Sequence, residues 1–167
     1  MTRSQPGTAA RVLEIQDLPA EVARDARLLG LDLGTKTIGV AVSDVSRSIA
    51  TPVETIKRSK FTADIQPILK TIQELGVGAI VLGLPVNMDG SEGPRAQSTR
   101  AFARNLSQHT DLPMVFWDER LSTAAVERHL IEADASRKRR GEVVDRMAAA
   151  YILQGALDRL KGLKTLS

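Results

Sequence analysis

Four carboxylates stand where solubility alone would not place them: Asp32, the adjacent pair Asp118 and Glu119, and Asp145. Asp32 is the only ionisable residue in the apolar strand pattern from Leu28 to Leu33. A carboxylate buried there costs several kcal/mol unless it is hydrogen-bonded, ion-paired or bound to a cation. With a period of two, Leu29, Leu31 and Leu33 share one face, and Gly30, Asp32 and Gly34 share the other. The flanking glycines leave space beside the acid for a metal ion or a phosphate.

Asp118 and Glu119 follow a short apolar strand, and strand ends are where open α/β sheets bind ligands. Adjacent strand residues face opposite ways, so at most one of the two joins Asp32 unless the strand has already broken. Glu119 is favoured, although pairing with Arg120 or capping the next helix accounts for either acid equally well. Asp145 falls at the edge of the apolar stripe Val144, Met147, Ala148, Tyr151, Ile152 and Gly155 of the last helix, beside Ala148 and Ile152. Its bland explanation is favourable interaction with a helix N-terminus.

Carboxylate oxygens are the preferred ligands of hard cations such as Mg²⁺ or Mn²⁺. Two such ions about 4 Å apart suffice to activate a water and stabilise the leaving oxygen in phosphodiester hydrolysis. The rest of the composition points the same way. The chain has 167 residues and no cysteine, which excludes a thiol nucleophile, a disulfide framework and a Cys-ligated zinc site. Its two histidines, His109 and His129, lie in helical patterns away from other ligand types. A sequence pI near 9.5 and the run Arg137, Lys138, Arg139 and Arg140 favour a polyanionic partner. No apolar run approaches a membrane span, so a soluble cytoplasmic protein is expected.

The elements that must position these acids are legible in outline. Residues 1–26 read as an extension, disordered over Met1 to Ala10, in which Val12, Leu13, Ile15 and Leu18 dock as a short element. Strands are expected at Arg27 to Leu33, Lys36 to Ser43 and Ile49 to Lys57, with a tight turn at Gly34 and Thr35 and an irregular or edge position at Pro52. A helix capped by Asp64 runs to Leu75, with Pro67 in its first turn, and Gly76 stops it. A buried strand covers Ala79 to Leu84, and a Gly- and Pro-bounded loop precedes a helix from Pro94 to His109. Met114 to Trp117 form the fifth strand. Ser122 caps a helix to Ala133, the basic run makes a loop, and the last helix fills Glu142 to Lys161 before a tail at 162–167. A three-strand meander followed by alternating helices and strands defines an α/β fold, a mixed five-stranded sheet with helices on both faces.

The segments GLDLGTKTIGVAVSD, IVLGLPVNMDGSEGP, VFWDERLSTAAVE and VVDRMAAAYILQGALD, in that order, closely resemble the YqgF family, also called RuvX, over residues 27–161. The resemblance implies an RNase H-like nuclease domain related to the Holliday junction resolvase RuvC, with a divalent-metal site. Position by position, it makes Asp32 the first-strand acid, Asp118-Glu119 the acidic pair after strand five, and Asp145 the last-helix acid. The family's implied role is 5′-end maturation of precursor 16S ribosomal RNA, and resolvase-like cleavage of branched DNA is the alternative. RuvC-like enzymes carry a further acid on strand four, where this chain reads Val81-Leu82-Gly83-Leu84. Thr35 and Lys36 at the hairpin tip, with Arg120, are candidate phosphate contacts, and Arg137, Lys138, Arg139 and Arg140 would track a nucleic-acid backbone. A junction-cleaving enzyme would need two sites and hence a homodimer; the sequence leaves the oligomeric state open. Two rivals remain: a non-catalytic RNA-binding module, and an actin-like ATPase using Asp32-Leu33-Gly34-Thr35 as a phosphate hairpin, whose two lobes exceed this chain's length.

Overall fold

The computed structural model describes residues 11–121 and 137–166, with side chains described for 11–121 and 147–164. Strands β1 (Arg27–Leu33), β2 (Thr37–Ser43) and β3 (Ala50–Lys57) form the antiparallel meander, and β4 (Val77–Leu84) and β5 (Met114–Asp118) lie parallel to β1. The sheet order is β3-β2-β1-β4-β5, which is the mixed RNase H-like arrangement the motifs imply. Four helices accompany the described strands: α1 (Leu18–Glu21), α2 (Phe61–Leu75), α3 (Pro94–Leu106) and α4 (Arg137–Leu166).

The alternation in β1 sorts its side chains between two cores. Leu29, Leu31 and Leu33 pack with Ile65 and Ile68 of α2 and with Phe102 and Leu106 of α3. Leu28 instead joins Ala79, Val81, Val115 and Trp117 beneath Ile152, Leu153 and Leu157 of α4. Helices therefore cover both faces. Gly30 is what allows α4 to sit directly on β1: a Cβ there would lie 2.7 Å from Leu153 Cβ and 3.1 Å from the Ala149 carbonyl. The last turns of α4 pack over the start of the parallel strands, where Leu18 and Val22 share a core with Leu157 and Leu160. Its earlier turns consequently lie over the opposite end of β1, towards Asp32.

Several boundaries move for physical reasons. Helix α2 begins at Phe61, one turn before the expected start, so Pro67 lies in its interior and Asp64 is no N-cap. The buried Asp64 reaches backwards and accepts the Ser59 N–H (3.0 Å to Oδ1) and hydroxyl (3.0 Å), and this contact carries the helix across Lys60. Gly76 does end α2, with φ of 63° in the left-handed region. Pro52 lies on edge strand β3 beside a register shift, as its missing donor requires. Helix α3 stops at Leu106, which leaves His109 in the following turn, tilted against Phe61 with ring centroids 5.9 Å apart. The basic run expected as a loop is the start of α4, which extends through Leu166 rather than ending near Lys161. The docking expected of the N-terminal segment is seen: Leu13 N–H donates to the Met114 carbonyl (2.8 Å), and Leu18 is fully buried. Met1 to Ala10, and the helix expected from Ser122 to Ala133 with His129, lie outside the described residues. Among the described residues no helix is long and apolar enough to cross a membrane.

Candidate active site

Asp32 and Glu119 lie on one face at the C-terminal ends of the parallel strands. Asp32 is the penultimate residue of β1, 8% exposed, and is paired with Gly39 of β2. Gly30, two residues before it, faces α4, so the Asp32 side chain leaves the sheet on the α4 face too. Leu31 pairs with Leu82, which sets Asp32 level with Gly83 on the adjoining strand.

Gly83 explains how the other acid arrives. A Cβ built on it would lie 3.2 Å from Glu119 Oε1 and 2.5 Å from Ile152 Cδ1. The Glu119 carboxylate thus leans over the bare backbone of β4 on the α4 face. It occupies space over Gly83, level with Asp32 on the adjoining strand. The strand break makes this possible, because β5 ends at Asp118 and Glu119 opens a 3-10 turn (Glu119–Leu121).

Asp118 is turned to other work. Val115 and Trp117 face α4, so Asp118 alternates with them, and its carboxylate is gripped by Arg120. The Arg120 backbone N–H donates to Oδ1 (2.9 Å), and its guanidinium reaches Oδ2 at 2.7 Å. These hydrogen bonds hold the Asp118 carboxyl below its ordinary value and raise Arg120. Arg120 also donates to the Met88 carbonyl at 3.3 Å, which ties the end of β5 to the loop after β4. That loop is internally braced: Asn87 N–H donates to the Ser91 carbonyl (2.9 Å) and Ser91 Oγ to Asp89 Oδ1 (2.6 Å). The Ser91 hydroxyl is the main reason that the Asp89 carboxyl lies below its usual value.

Thr35 and Lys36 are exposed at the hairpin tip, next to the Asp32 end of β1. A partner that the sequence reading missed holds this tip. Arg58, just after β3, donates from its guanidinium to the Gly34 carbonyl (2.7 Å) and from its backbone N–H to the Lys36 carbonyl (2.9 Å). The signal for it was the β2/β3 register, in which Thr37 pairs with Lys57.

Asp145 lies on α4, four residues before Ala149 and seven before Ile152, both on the buried stripe of the helix. That stripe includes Ala149, Leu153 and Leu157, a rotation from the one expected around Tyr151 and Gly155. The backbone at 145 therefore belongs to the part of α4 over the Asp32 end of the sheet. The Asp145 side chain, and those of Arg137, Lys138, Arg139 and Arg140, lie outside those described. Among the described residues no three acidic or histidine side chains group into a metal cage. The donor set fits a hard cation nonetheless: two carboxylates on one face over a bare glycine backbone, with neither sulfur nor imidazole, suit Mg²⁺ or Mn²⁺.

The sheet order β3-β2-β1-β4-β5, with helices on both faces, is that of an RNase H-like domain. Residues 26–159 match the family model RuvX, described as Holliday junction resolvase. The chain belongs to the RuvX family. It is 63% identical over 151 residues to a Paramagnetospirillum magneticum protein, covering 90% of this chain and 97% of the relative. A Cereibacter sphaeroides protein is 65% identical over 149 residues, covering 89% and 93%. Both bear the name "Putative pre-16S rRNA nuclease". The solved structure of T. thermophilus RuvC in complex with a Holliday junction substrate aligns with a TM-score of 0.49 at 15% identity, covering 82% of this chain and 96% of that one.

Proposed function

We propose that this protein is a divalent-metal-dependent nuclease that hydrolyses phosphodiester bonds, with precursor 16S ribosomal RNA near its 5′ end as substrate. The observation that carries the reading is the Glu119 carboxylate lying over Gly83, on the same face and at the same end of the sheet as the buried Asp32. The names of the relatives support the choice of RNA. In this reading Asp32, Glu119 and Asp145 hold Mg²⁺ or Mn²⁺, which when bound supplies an acidified water and neutralises charge on the scissile phosphate. Asp32 keeps its carboxylate against the sheet, where burial on β1 limits its movement. Asp118 stays outside the metal set and anchors Arg120, whose guanidinium is thereby aimed along the end of β5 towards the loop at Met88. Thr35 and Lys36 meet phosphate from the hairpin tip, which Arg58 steadies. Arg137, Lys138, Arg139 and Arg140 add backbone contacts, and the protein works in the cytoplasm as a single RNase H-like domain over residues 27–161.

The test uses the full chain with an Asp32→Asn variant. Cleavage of a 5′-extended 16S precursor fragment in Mg²⁺ or Mn²⁺ should fall by at least about 10²-fold, the scale of losing a transition-state interaction, while RNA binding measured by anisotropy persists. Undiminished cleavage by the variant would remove Asp32 from the chemistry. The family description favours a second reading, cleavage of branched DNA. A four-way junction assayed alongside the RNA decides it: symmetric nicking of the junction with intact RNA would replace the substrate.

A further inference from the structure

The end of the sheet opposite Asp32 holds a second built cavity, of about 550 Å³. Leu29 pairs with Val42, so the β2 to β3 connection lies beside the start of β1, about 15 Å along the strand from Asp32 at roughly 3.3 Å per residue. Its charged lining is one-sided. Arg24 enters from the connection after α1, Arg47 from the β2 to β3 loop, and Lys161 and Lys164 from the last turns of α4. Among the described residues that line this cavity none is acidic; Asp25, which acts electrostatically on Arg47, and Asp44 line the neighbouring depression, which shares Arg24. Two lysines near a helix C-terminus complement its dipole, and Arg24, from a separate segment, brings a third cation to the same space.

The walls are held in place before any ligand arrives. Arg47 has φ of 58°, a left-handed conformation. Its Nε donates to the Ala26 carbonyl at 3.0 Å, and its terminal nitrogen also donates to the Ala23 carbonyl. Gln154 of α4 donates to the Ser48 carbonyl (2.9 Å) and accepts the Ala50 N–H (2.9 Å), locking the loop to the helix. Asp44 is committed to that loop, accepting the Ser48 N–H at 2.7 Å and the Ser46 hydroxyl at 2.6 Å. With the Ser46 proton given to Asp44, the 3.2 Å contact between the two hydroxyls has Ser48 Oγ donating to Ser46 Oγ, which adds a further tie within the loop. Pro19, Val45 and Leu160 provide an apolar floor.

We infer that this cavity binds a nucleotide, its phosphate against Arg24, Lys161 and Lys164 and its base or sugar against the apolar floor. Converging cations and an apolar surface in a space of ligand size match that chemistry. The source is either a free nucleotide or the terminal nucleotide of a polynucleotide.

The experiment titrates the full chain, with divalent metal chelated, with adenosine monophosphate by calorimetry and with a 5′-phosphorylated 12-nucleotide RNA by anisotropy. Arg24→Ser/Lys164→Ser should weaken at least one probe tenfold or more. Amide shifts at residues 46–48 should accompany saturation of the wild type. These side chains are exposed, and unchanged thermal melts check that the fold survives. Loss with the monophosphate identifies a free nucleotide; loss with the RNA alone identifies a strand end. Failure of both probes to bind, or equal affinities in variant and wild type, overturns the assignment. Asp32→Asn should leave the monophosphate affinity unaltered, so this outcome is read independently of the nuclease reading.

Discussion

Replacing Gly83 with alanine tests the packing that brings Glu119 to Asp32. The added Cβ would sit 2.5 Å from Ile152 Cδ1 and 3.2 Å from both Ile152 Cγ1 and Glu119 Oε1. Ile152 is fully buried between α4 and the sheet, so its displacement overpacks a filled core. Overpacking of one methyl costs about 2 kcal/mol, which for a domain of this size lowers the melting temperature by roughly 6 °C. Glu119 must also retreat by a few tenths of an ångström. Scaled from about 10²-fold per ångström of misplacement, that predicts roughly a fivefold loss of cleavage. Two companions separate the effects. Gly83→Ala/Ile152→Val removes Cδ1 and should recover part of the stability, while the Glu119 contact and the slower cleavage remain. Gly162→Ala, on the same helix with no atom within 4 Å of its new Cβ, should instead stabilise by about 0.5–1 kcal/mol. Thermal melts and initial cleavage rates on the 16S precursor fragment give both readouts. Wild-type melting and wild-type rates for Gly83→Ala would refute the close approach of Glu119 to β4.

The two adjacent acids should respond oppositely to neutralisation. Glu119→Gln should reduce cleavage by at least about 10²-fold with little change in melting, whereas Asp118→Asn should retain most activity and lose no more than about 1 kcal/mol, since its pair with Arg120 is largely solvent-screened; the reverse ranking in a rate assay would exchange their roles. Asp44 sets an acid-side dependence: hydrogen bonds from Ser46, Ile49 and Ser48 hold its carboxyl at about 2 against an ordinary 3.8. Because the folded value is the lower one, its contribution is present above pH 3.8 and is lost as the pH falls towards 2. Asp44→Asn should therefore flatten the slope of melting temperature against pH within that window, and identical slopes for the two proteins would contradict this.

Part of this protein can be read from one dimension because the determining patterns are local. Alternation in Leu28 to Leu33 assigns Asp32 to the glycine face, and the aliphatic run from Ala79 to Leu84 marks a strand covered on both sides. Gly76 ends α2 because a left-handed residue is needed immediately after it. Four ordered motifs also carry the family, since they record residue types at fixed separations. Other features depend on atoms far apart in the chain. The spacing left Asp118 and Glu119 open; the β4/β5 register, Leu84 beside Asp118, and the strand break after it place Glu119 over Gly83. Arg58 reaches the hairpin tip only because β3 returns alongside β2. The cations of the second cavity come from residues 24, 47, 161 and 164, which no local pattern connects. Periodicity gives the direction in which a side chain leaves its element; the tertiary fold alone determines what it meets there.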